Sequence, residues 1–220
     1  MPRRPTNRMG LVLLLLVVAG WTLPVQQPAT ADELKQAELD VPKLLPVLEL
    51  TPGMTVADVG AGAGAMTLVM AQALGPSGRV YATDVNAFQI DAIRDQANAR
   101  HLENVVATLG TQTSTGLPDR CCDAIFVRDA YHHFTDPSAM NRSFAAALKP
   151  GGRLAIIDFG PAPGTGPPPN VPANRTGHGI TSTIVEQELQ TAGFQLIRTI
   201  PRWPPGDKTD EYFLVLARKK

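Results

Sequence analysis

Residues 56–67 read VADVGAGAGAMT, an apolar run that breaks into alternating glycine and alanine. The end of this stretch and its continuation, residues 66–71, contain no helix breaker. The pattern therefore predicts a strand, a glycine turn and a helix. Such a corner is typical of the ligand-binding edge of a doubly wound α/β sheet. The three glycines, Gly60, Gly62 and Gly64, have separate expected roles: a sharp turn at positive φ, close approach of a ligand to the backbone, and tight packing of helix on strand.

Two acids near this corner indicate a nucleotide-like ligand. Asp58 lies at the end of the first strand, and Asp84 ends the next apolar run, about twenty residues after the loop. A carboxylate at that place accepts hydrogen bonds from ribose hydroxyls. The same letters also fit the G-x-G-x-x-A pattern of a dinucleotide site, ending at Ala65. A nicotinamide-dependent oxidoreductase therefore stays an alternative, although the sequence shows no catalytic Tyr/Lys pair for it.

Four stretches together carry a family resemblance: residues 44–64, Asp84, residues 131–134 (YHHF) and residues 148–154 (LKPGGRL). In this order the chain resembles the class I S-adenosylmethionine-dependent methyltransferases, over roughly residues 39–217. It resembles their small-molecule members, such as the ubiquinone/menaquinone-biosynthesis-like and type 11 groups. The resemblance implies a Rossmann-like α/β fold whose seven-stranded, mostly parallel sheet has the order 3-2-1-4-5-7-6 and an antiparallel last strand. It also implies S-adenosylmethionine as cofactor and a small-molecule methyl acceptor.

The resemblance further implies a set of cofactor-binding residues at the carboxyl ends of the strands. The family's usual acid after the third strand is missing, so Thr111 or Gln112 is expected to contact adenine instead. The cofactor-binding set comprises Asp58, Gly60, Gly62, Gly64, Asp84, Val85, Thr111, Gln112 and Asp129.

Candidate catalytic residues follow from the chemistry of methyl transfer. The protein mainly aligns acceptor and cofactor, and a base is needed only where the acceptor is protonated. Asp129, His132, His133 and His178 are the candidates, because histidine titrates near neutral pH. The alternative is that residues 131–134 only shape a turn. Residues 160–179, rich in Pro and Gly, predict a long loop over the strand ends, either a lid or a passive linker.

The remaining strands and helices alternate along the chain, which favours a parallel sheet with right-handed crossovers. Helical residues 32–50 are expected to be broken at Pro42 and Pro46. Capping boxes are expected at Asn86 with Gln89 and at Thr183 with Glu186. Strands are expected at residues 54–59, 79–84, 104–109, 122–127, 153–158, 194–200 and 211–217, and further helices at residues 64–74, after Asn86, after Asp136 and up to Ala192.

The first 31 residues have the layout of a secretory signal peptide. Arginines come first, an apolar stretch of 13 residues follows at 11–23, and Ala29-Thr30-Ala31 forms a cleavage site of the A-x-A type. We expect residues 1–31 to be removed and the domain, residues 32–220, to be periplasmic or secreted; an uncleaved membrane anchor is the alternative. Because S-adenosylmethionine is made inside cells, an exported domain meets this cofactor outside or takes a different ligand.

Composition excludes several classes of protein. Twenty basic and 20 acidic residues balance, which disfavours nucleic-acid partners. No spacing of His, Cys, Asp and Glu predicts a metal site, and Cys121 and Cys122 are expected to be free thiols that fill space at the start of a strand. A non-catalytic binding protein with the same fold is a third interpretation, because fold does not determine activity.

Overall fold

One seven-stranded sheet organises the chain, of which the computed structural model describes residues 27–205 and 212–220. A 3₁₀ turn, Tyr131–His133, precedes α4. The helices are α1 Ala31–Leu48, α2 Ala65–Leu74, α3 Ala87–Ala99, α4 Pro137–Ala147 and α5 Ser182–Thr191. The strands are β1 Thr55–Val59, β2 Arg79–Asp84, β3 Val105–Leu109, β4 Cys122–Arg128, β5 Leu148–Phe159, β6 Gln195–Trp203 and β7 Tyr212–Arg218.

The strand order, β3-β2-β1-β4-β5-β7-β6, confirms the expected topology. Strands β1 to β5 pair in parallel, and β7 runs antiparallel to both of its neighbours. The carboxyl ends of β1, β2, β4 and β5 therefore meet at one edge of the sheet, where ligands bind in folds of this class. Because β7 is reversed, it begins at that same edge.

The sheet is buried on both faces, as a parallel sheet must be. Along β4, Ala124 and Phe126 join one apolar cluster with α1 and α2, while Ile125 and Val127 join another with α4 and α5. All four side chains are completely buried. This burial anchors the end of β4, from which the 3₁₀ turn and its histidines emerge.

The first helix differs from its prediction, because Pro42 and Pro46 lie inside a continuous helix. Each proline removes one hydrogen bond of the helix. The apolar stripe of α1, which includes Val41 and Leu44, is buried in the cluster that it shares with α2. Tertiary burial therefore overrides the local cost of the prolines.

Two capping predictions are corrected in part. Asn86 caps α3 by accepting from the N–H of Phe88, but it forms no capping box with Gln89. Helix α5 begins two residues earlier than Thr183 implied, with Thr181 as the N-cap. Glu186 instead accepts a hydrogen bond from the hydroxyl of Thr199 in β6. Thr181 and Thr183 are the same residue type, and threonine is a good N-cap, so residue type alone does not decide which of them begins the helix.

The expectation of free thiols was wrong, since Cys121 and Cys122 form a disulfide. The chain turns just before this pair, with Arg120 at φ +51. Cys122 is completely buried at the start of β4 and Cys121 packs against the same cluster, so their expected role as apolar filler is confirmed. A further difference lies in β5, which begins at Leu148 instead of residue 153 and pairs with β4 through a register shift.

Most of the predicted signal peptide, residues 1–26, lies outside the described part of the chain. Thr30, which belongs to the predicted cleavage site, is the N-cap of α1 and forms a capping box with Glu33. Within residues 27–205 and 212–220, none of the helices has the length and apolar character needed to span a bilayer.

Candidate active site

The glycine loop between β1 and α2 divides its roles among three residues. Gly60, Gly62 and Gly64 all have positive φ, at +74°, +52° and +85°. A Cβ on Gly60 would lie 2.5 Å from the Cβ of Ala130, and one on Gly64 would lie 2.6 Å from Cγ1 of Ile93. A Cβ on Gly62 would meet nothing within 4 Å. Gly60 and Gly64 therefore serve packing, and Gly62 is where a ligand can approach the backbone.

Asp84 lies beside this open backbone, at the end of β2. Its Oδ2 accepts from the N–H of Gly62 at 3.0 Å, and its Oδ1 accepts from the N–H of Asn86 at 2.9 Å. These two bonds orient the carboxylate. Each carboxylate oxygen can accept more than one hydrogen bond, so Asp84 can still bind the hydroxyls of a sugar.

Two cavities meet at the glycine loop. The larger, of about 710 Å³, is lined by Asp84 and by most of the other residues that the resemblance implied: Gly60, Gly62, Val85, Thr111, Gln112 and Asp129. The smaller, of about 500 Å³, is lined by Asp58 and Gly64. Gly60, Gly62 and Asp129 line both. The structure thus places every predicted cofactor-binding residue in the lining of one or both of these two cavities.

Asp58 is buried beneath the smaller cavity, with 2% of its surface exposed. Its Oδ2 accepts a hydrogen bond from the hydroxyl of Thr67 at 2.6 Å. Burial raises the pKa of the Asp58 carboxyl to about 7, because a charge is poorly solvated in the protein interior. Near pH 7, the Asp58 carboxyl is therefore present in both its charged and its neutral form.

Asp129 follows β4 and holds a left-handed backbone, with φ at +58°, a conformation that residues other than glycine adopt at a cost. The hydroxyl of Tyr212 donates to its Oδ2 at 3.4 Å. Burial, and secondarily the charge of Asp158, raises the pKa of Asp129, while Arg128 opposes the change. Sequence reasoning missed Tyr212, since only the reversal of β7 brings it to this edge.

The three predicted catalytic histidines lie together. The ring centroids of His132 and His133 are 4.1 Å apart, and the ring of His178 lies 4.7 Å from that of His132 and 5.5 Å from that of His133. His133 lines the larger cavity. Its pKa is lowered by burial first and then by the neighbouring histidine charges, so His133 is neutral at pH 7 and able to accept a proton.

Asp158, at the end of β5, holds His132 in place, a role that was not predicted for it. Its Oδ1 lies 2.8 Å from Nδ1 of His132, and its Oδ2 accepts from the backbone N–H of the same residue at 3.1 Å. Both side chains are buried, at 1% and 0% exposure. The sequence signal was available, because Asp158 follows a buried run at the carboxyl end of a strand.

The long loop between β5 and α5 covers the larger cavity, and Pro168, Pro169 and Asn170 line it. The base of the loop is closed by a backbone hydrogen bond from Ala162 to His178. Its far side is fixed by Arg175, whose two terminal nitrogens bind the carboxylate of Glu188 in α5. This position corresponds to the lid interpretation and not to a passive linker.

The arrangement fits a nucleoside that carries an amino-acid tail. In the larger cavity, Asp84 offers a carboxylate to a sugar, and Val85, 53% exposed, offers an apolar face to a base. In the smaller cavity, Asp32 and Glu33 of α1 lie with Asp58 and Arg128, a charge set suited to an ammonium and a carboxylate. The junction of the two cavities, beside Gly62, is where the two halves of such a ligand would join.

Comparisons with known proteins agree with this geometry. A family model described as a methyltransferase domain matches residues 50–193. A phosphoethanolamine N-methyltransferase of Triticum aestivum is 33% identical over 178 residues, which cover 79% of this chain and 33% of that protein. A ubiquinone/menaquinone biosynthesis C-methyltransferase of Saccharophagus degradans is 32% identical over 108 residues, which cover 49% of this chain and 43% of that protein. The chain thus spans a third to less than half of the length of these curated relatives.

A solved structure gives the same result over the whole fold. The S-adenosylmethionine-dependent methyltransferase of Aquifex aeolicus is 28% identical, with a TM-score of 0.64, and the match covers 87% of this chain and all of that one. The match to the family model extends over more than half of the chain, which decides between the two interpretations of the glycine loop. The chain belongs to the class I S-adenosylmethionine-dependent methyltransferases, and S-adenosylmethionine is its cofactor.

Proposed function

We propose that this methyltransferase transfers the methyl group of S-adenosylmethionine to a small-molecule acceptor that enters beneath the 160–179 loop. The observation that carries the proposal is the single cavity that holds both Asp84 and the pair His133 and Asp129. Cofactor-binding and proton-accepting groups therefore face one space. Its volume, about 710 Å³, lies in the range of small-molecule sites.

The protein's part in the reaction follows from these positions. The cofactor supplies a methyl group on a positively charged sulfur, which is already a good leaving group. Asp84 would accept hydrogen bonds from the ribose hydroxyls, and the open backbone at Gly62 would lie against the amino-acid tail; together these residues would orient the cofactor toward the acceptor. Pro168 and Pro169 line the same cavity, and their apolar rings would limit the access of water to the reacting atoms.

Proton transfer at the acceptor end is assigned to His133 and Asp129, with His178 nearby. A neutral imidazole at His133 takes the proton that a hydroxyl, amine or thiol acceptor loses as it is methylated. Such a positioned base contributes about 10²- to 10⁴-fold in rate. The side chain of His132 is buried and bonded to Asp158. We therefore assign His132 the role of positioning the neighbouring side chains of His133 and His178.

The acceptor is proposed to be small because of the cavity and because of the relatives' names, which are phosphoethanolamine and quinone-biosynthesis methyltransferases. Export is proposed from residues 1–31. The disulfide between Cys121 and Cys122 supports an oxidising compartment, since disulfides persist mainly outside the cytosol. The mass of the mature N-terminus, measured in periplasmic and cytosolic fractions, tests export.

Calorimetric titration with S-adenosylmethionine and S-adenosylhomocysteine tests the cofactor site. Asp84→Ala should weaken binding by about 1–3 kcal/mol, or roughly 5- to 150-fold, because it removes hydrogen bonds to a charged group and leaves two backbone N–H groups unpaired. Asp91→Asn is the matched control, since Asp91 is an exposed acid on α3 that pairs only with Arg94 among the described contacts. Equal affinity in the parent and Asp84→Ala would contradict the assignment.

Turnover separates an enzyme from a binding protein. The parent chain, offered panels of small hydroxyl, amine and thiol compounds, should release S-adenosylhomocysteine with at least one class, and His133→Ala should reduce kcat more than cofactor affinity. Tight cofactor binding with no product from any class would favour the non-catalytic interpretation.

A further inference from the structure

His132 carries a buried nitrogen that the fold does not explain. Its Nδ1 is bonded to Asp158, whereas its Nε2 has no hydrogen-bond partner among the described residues. The residue is 1% exposed, so bulk water does not satisfy this atom. A buried polar atom without a partner is unfavourable, which points to a ligand on this nitrogen in the working protein.

Two further imidazoles lie beside the ring of His132. One ring nitrogen from each of His132, His133 and His178 falls within 4.8 Å of the others. Zinc–nitrogen bonds of about 2.0–2.1 Å place tetrahedral ligand nitrogens about 3.4 Å apart. The two outer histidines are on the 3₁₀ turn and the covering loop and reach solvent, so modest side-chain rotations close this gap and leave an entry path.

We propose that His132, His133 and His178 bind a divalent first-row transition ion, of which Zn²⁺ fits best. Three neutral imidazoles with one open position are a common zinc donor set. The three donor atoms are imidazole nitrogens, and there is no thiolate among them. Nitrogen donors disfavour Mg²⁺ and Ca²⁺, because these ions take oxygen ligands. The spacing of these residues in the sequence gave no indication of the site, because His178 lies 45 residues beyond His133.

Asp158 orients the first ligand. A carboxylate on Nδ1 holds the proton there and leaves the lone pair on Nε2, which is the usual arrangement behind a metal-bound histidine. Asp158 is not itself a ligand, although it also lies near Asp129 and His132. Its Oδ1 accepts from His132 Nδ1 and from the N–H of Phe159, and its Oδ2 accepts from the N–H of His132.

The open position has a chemical consequence that rests on the proposed function. His133 lines the larger cavity together with Asp129, so the fourth ligand would come from that side. An acceptor with an oxygen, nitrogen or sulfur donor atom fits there. With an ion bound, His133 is a ligand and no longer a base, so Asp129, which lines the same cavity, would take the acceptor's proton. Metal binding itself needs neither cofactor nor acceptor, and it is therefore measured without them.

The experiment uses the full chain, stripped with a chelator and titrated with Zn²⁺ by calorimetry and with Co²⁺ by visible absorption. We expect saturable binding of one ion per chain and a Co²⁺ spectrum of low coordination number. His133→Ala and His178→Ala should each weaken binding at least tenfold, and both side chains are accessible enough for the fold to survive. Asp158→Asn should weaken binding about 10- to 100-fold and alter the Co²⁺ spectrum.

His101→Asn is the control, because His101 lines a separate pocket with residues at the starts of β1 and β2; it should bind metal as the parent does. Absence of saturable binding in the parent, or binding that survives both His133→Ala and His178→Ala, would overturn the proposal. Metal binding without cofactor binding would leave the metal site standing and remove the proposed function. Cofactor binding without metal binding would leave the proposed function standing and remove the metal site.

Discussion

Replacing single glycines of the loop after β1 should separate the ligand site from the scaffold. Gly62→Ala adds a methyl group that meets no protein atom within 4 Å, beside the junction of the two cavities. Gly64→Ala adds the same methyl group at a similar positive φ, but 2.6 Å from Cγ1 of Ile93. The two variants are therefore matched in backbone cost and differ in what the new atom touches.

The magnitudes follow from these contacts. A left-handed conformation costs alanine about 1–2 kcal/mol, of which about 0.4–1 kcal/mol is offset by the stiffer unfolded chain. Gly62→Ala should thus lower stability by about 1 kcal/mol. Gly64→Ala adds about 1–3 kcal/mol of overpacking against α3. For a chain of this size, 1 kcal/mol corresponds to about 2–4 °C in Tm, so the expected losses are about 2–4 °C and about 4–16 °C.

Thermal unfolding and cofactor calorimetry on both variants check this reasoning. Gly62→Ala should weaken S-adenosylmethionine binding by at least about tenfold, because the methyl group occupies space that the ligand needs. Gly64→Ala, where it folds, should keep most of its affinity. The reasoning is refuted if Gly62→Ala binds like the parent, or if Gly64→Ala loses affinity without losing Tm.

Three other properties follow from single contacts. Burial raises the pKa of the Asp58 carboxyl from 3.8 to about 7. The stability that the neutral carboxyl contributes is therefore complete below about pH 4 and is lost as the pH rises through about 7. Asp58→Asn should make the fall in Tm between pH 4 and pH 7 less steep. Thiol titration of the denatured, unreduced protein should detect no free thiol, and reduction should release two, from Cys121 and Cys122; two thiols before reduction would contradict the disulfide. In a chain that retains residues 27–31, Thr30→Ala should lower stability by about 1 kcal/mol, because Thr30 caps α1. The expected Tm is lower by about 2–4 °C, and an unchanged Tm would contradict a stabilising role for this cap.

Local chemistry explains why much of the fold was predictable. The glycine loop, the acid that ends β2 and the Asp136-Pro137 helix start each depend on residues close in sequence. Positions such as Pro42 were mispredicted for the opposite reason. The cost of a proline in a helix is local, whereas the burial that offsets it depends on helix α2 and the sheet.

The candidate site divides in the same way. Asp84 and Gly62 could be placed from the sequence, because a strand followed by a turn determines where its end lies. Tyr212 could not be placed, since its contact with Asp129 requires β7 to run antiparallel to β5. The disulfide also depended on the backbone turn before β4, a geometry that the letters alone do not specify.

By itself, the sequence determined the strand–loop–helix corner, the alternation that makes a parallel sheet, and the acids that lie at the ends of β1 and β2. Those features follow from periodicity and turn chemistry, which act over a few residues. Only the tertiary structure decided that His178 joins His132 and His133, that Asp158 orients His132, and that a buried nitrogen is left without a partner among the described residues. Such contacts join elements far apart along the chain, and the packing of the sheet, not local preference, brings them together.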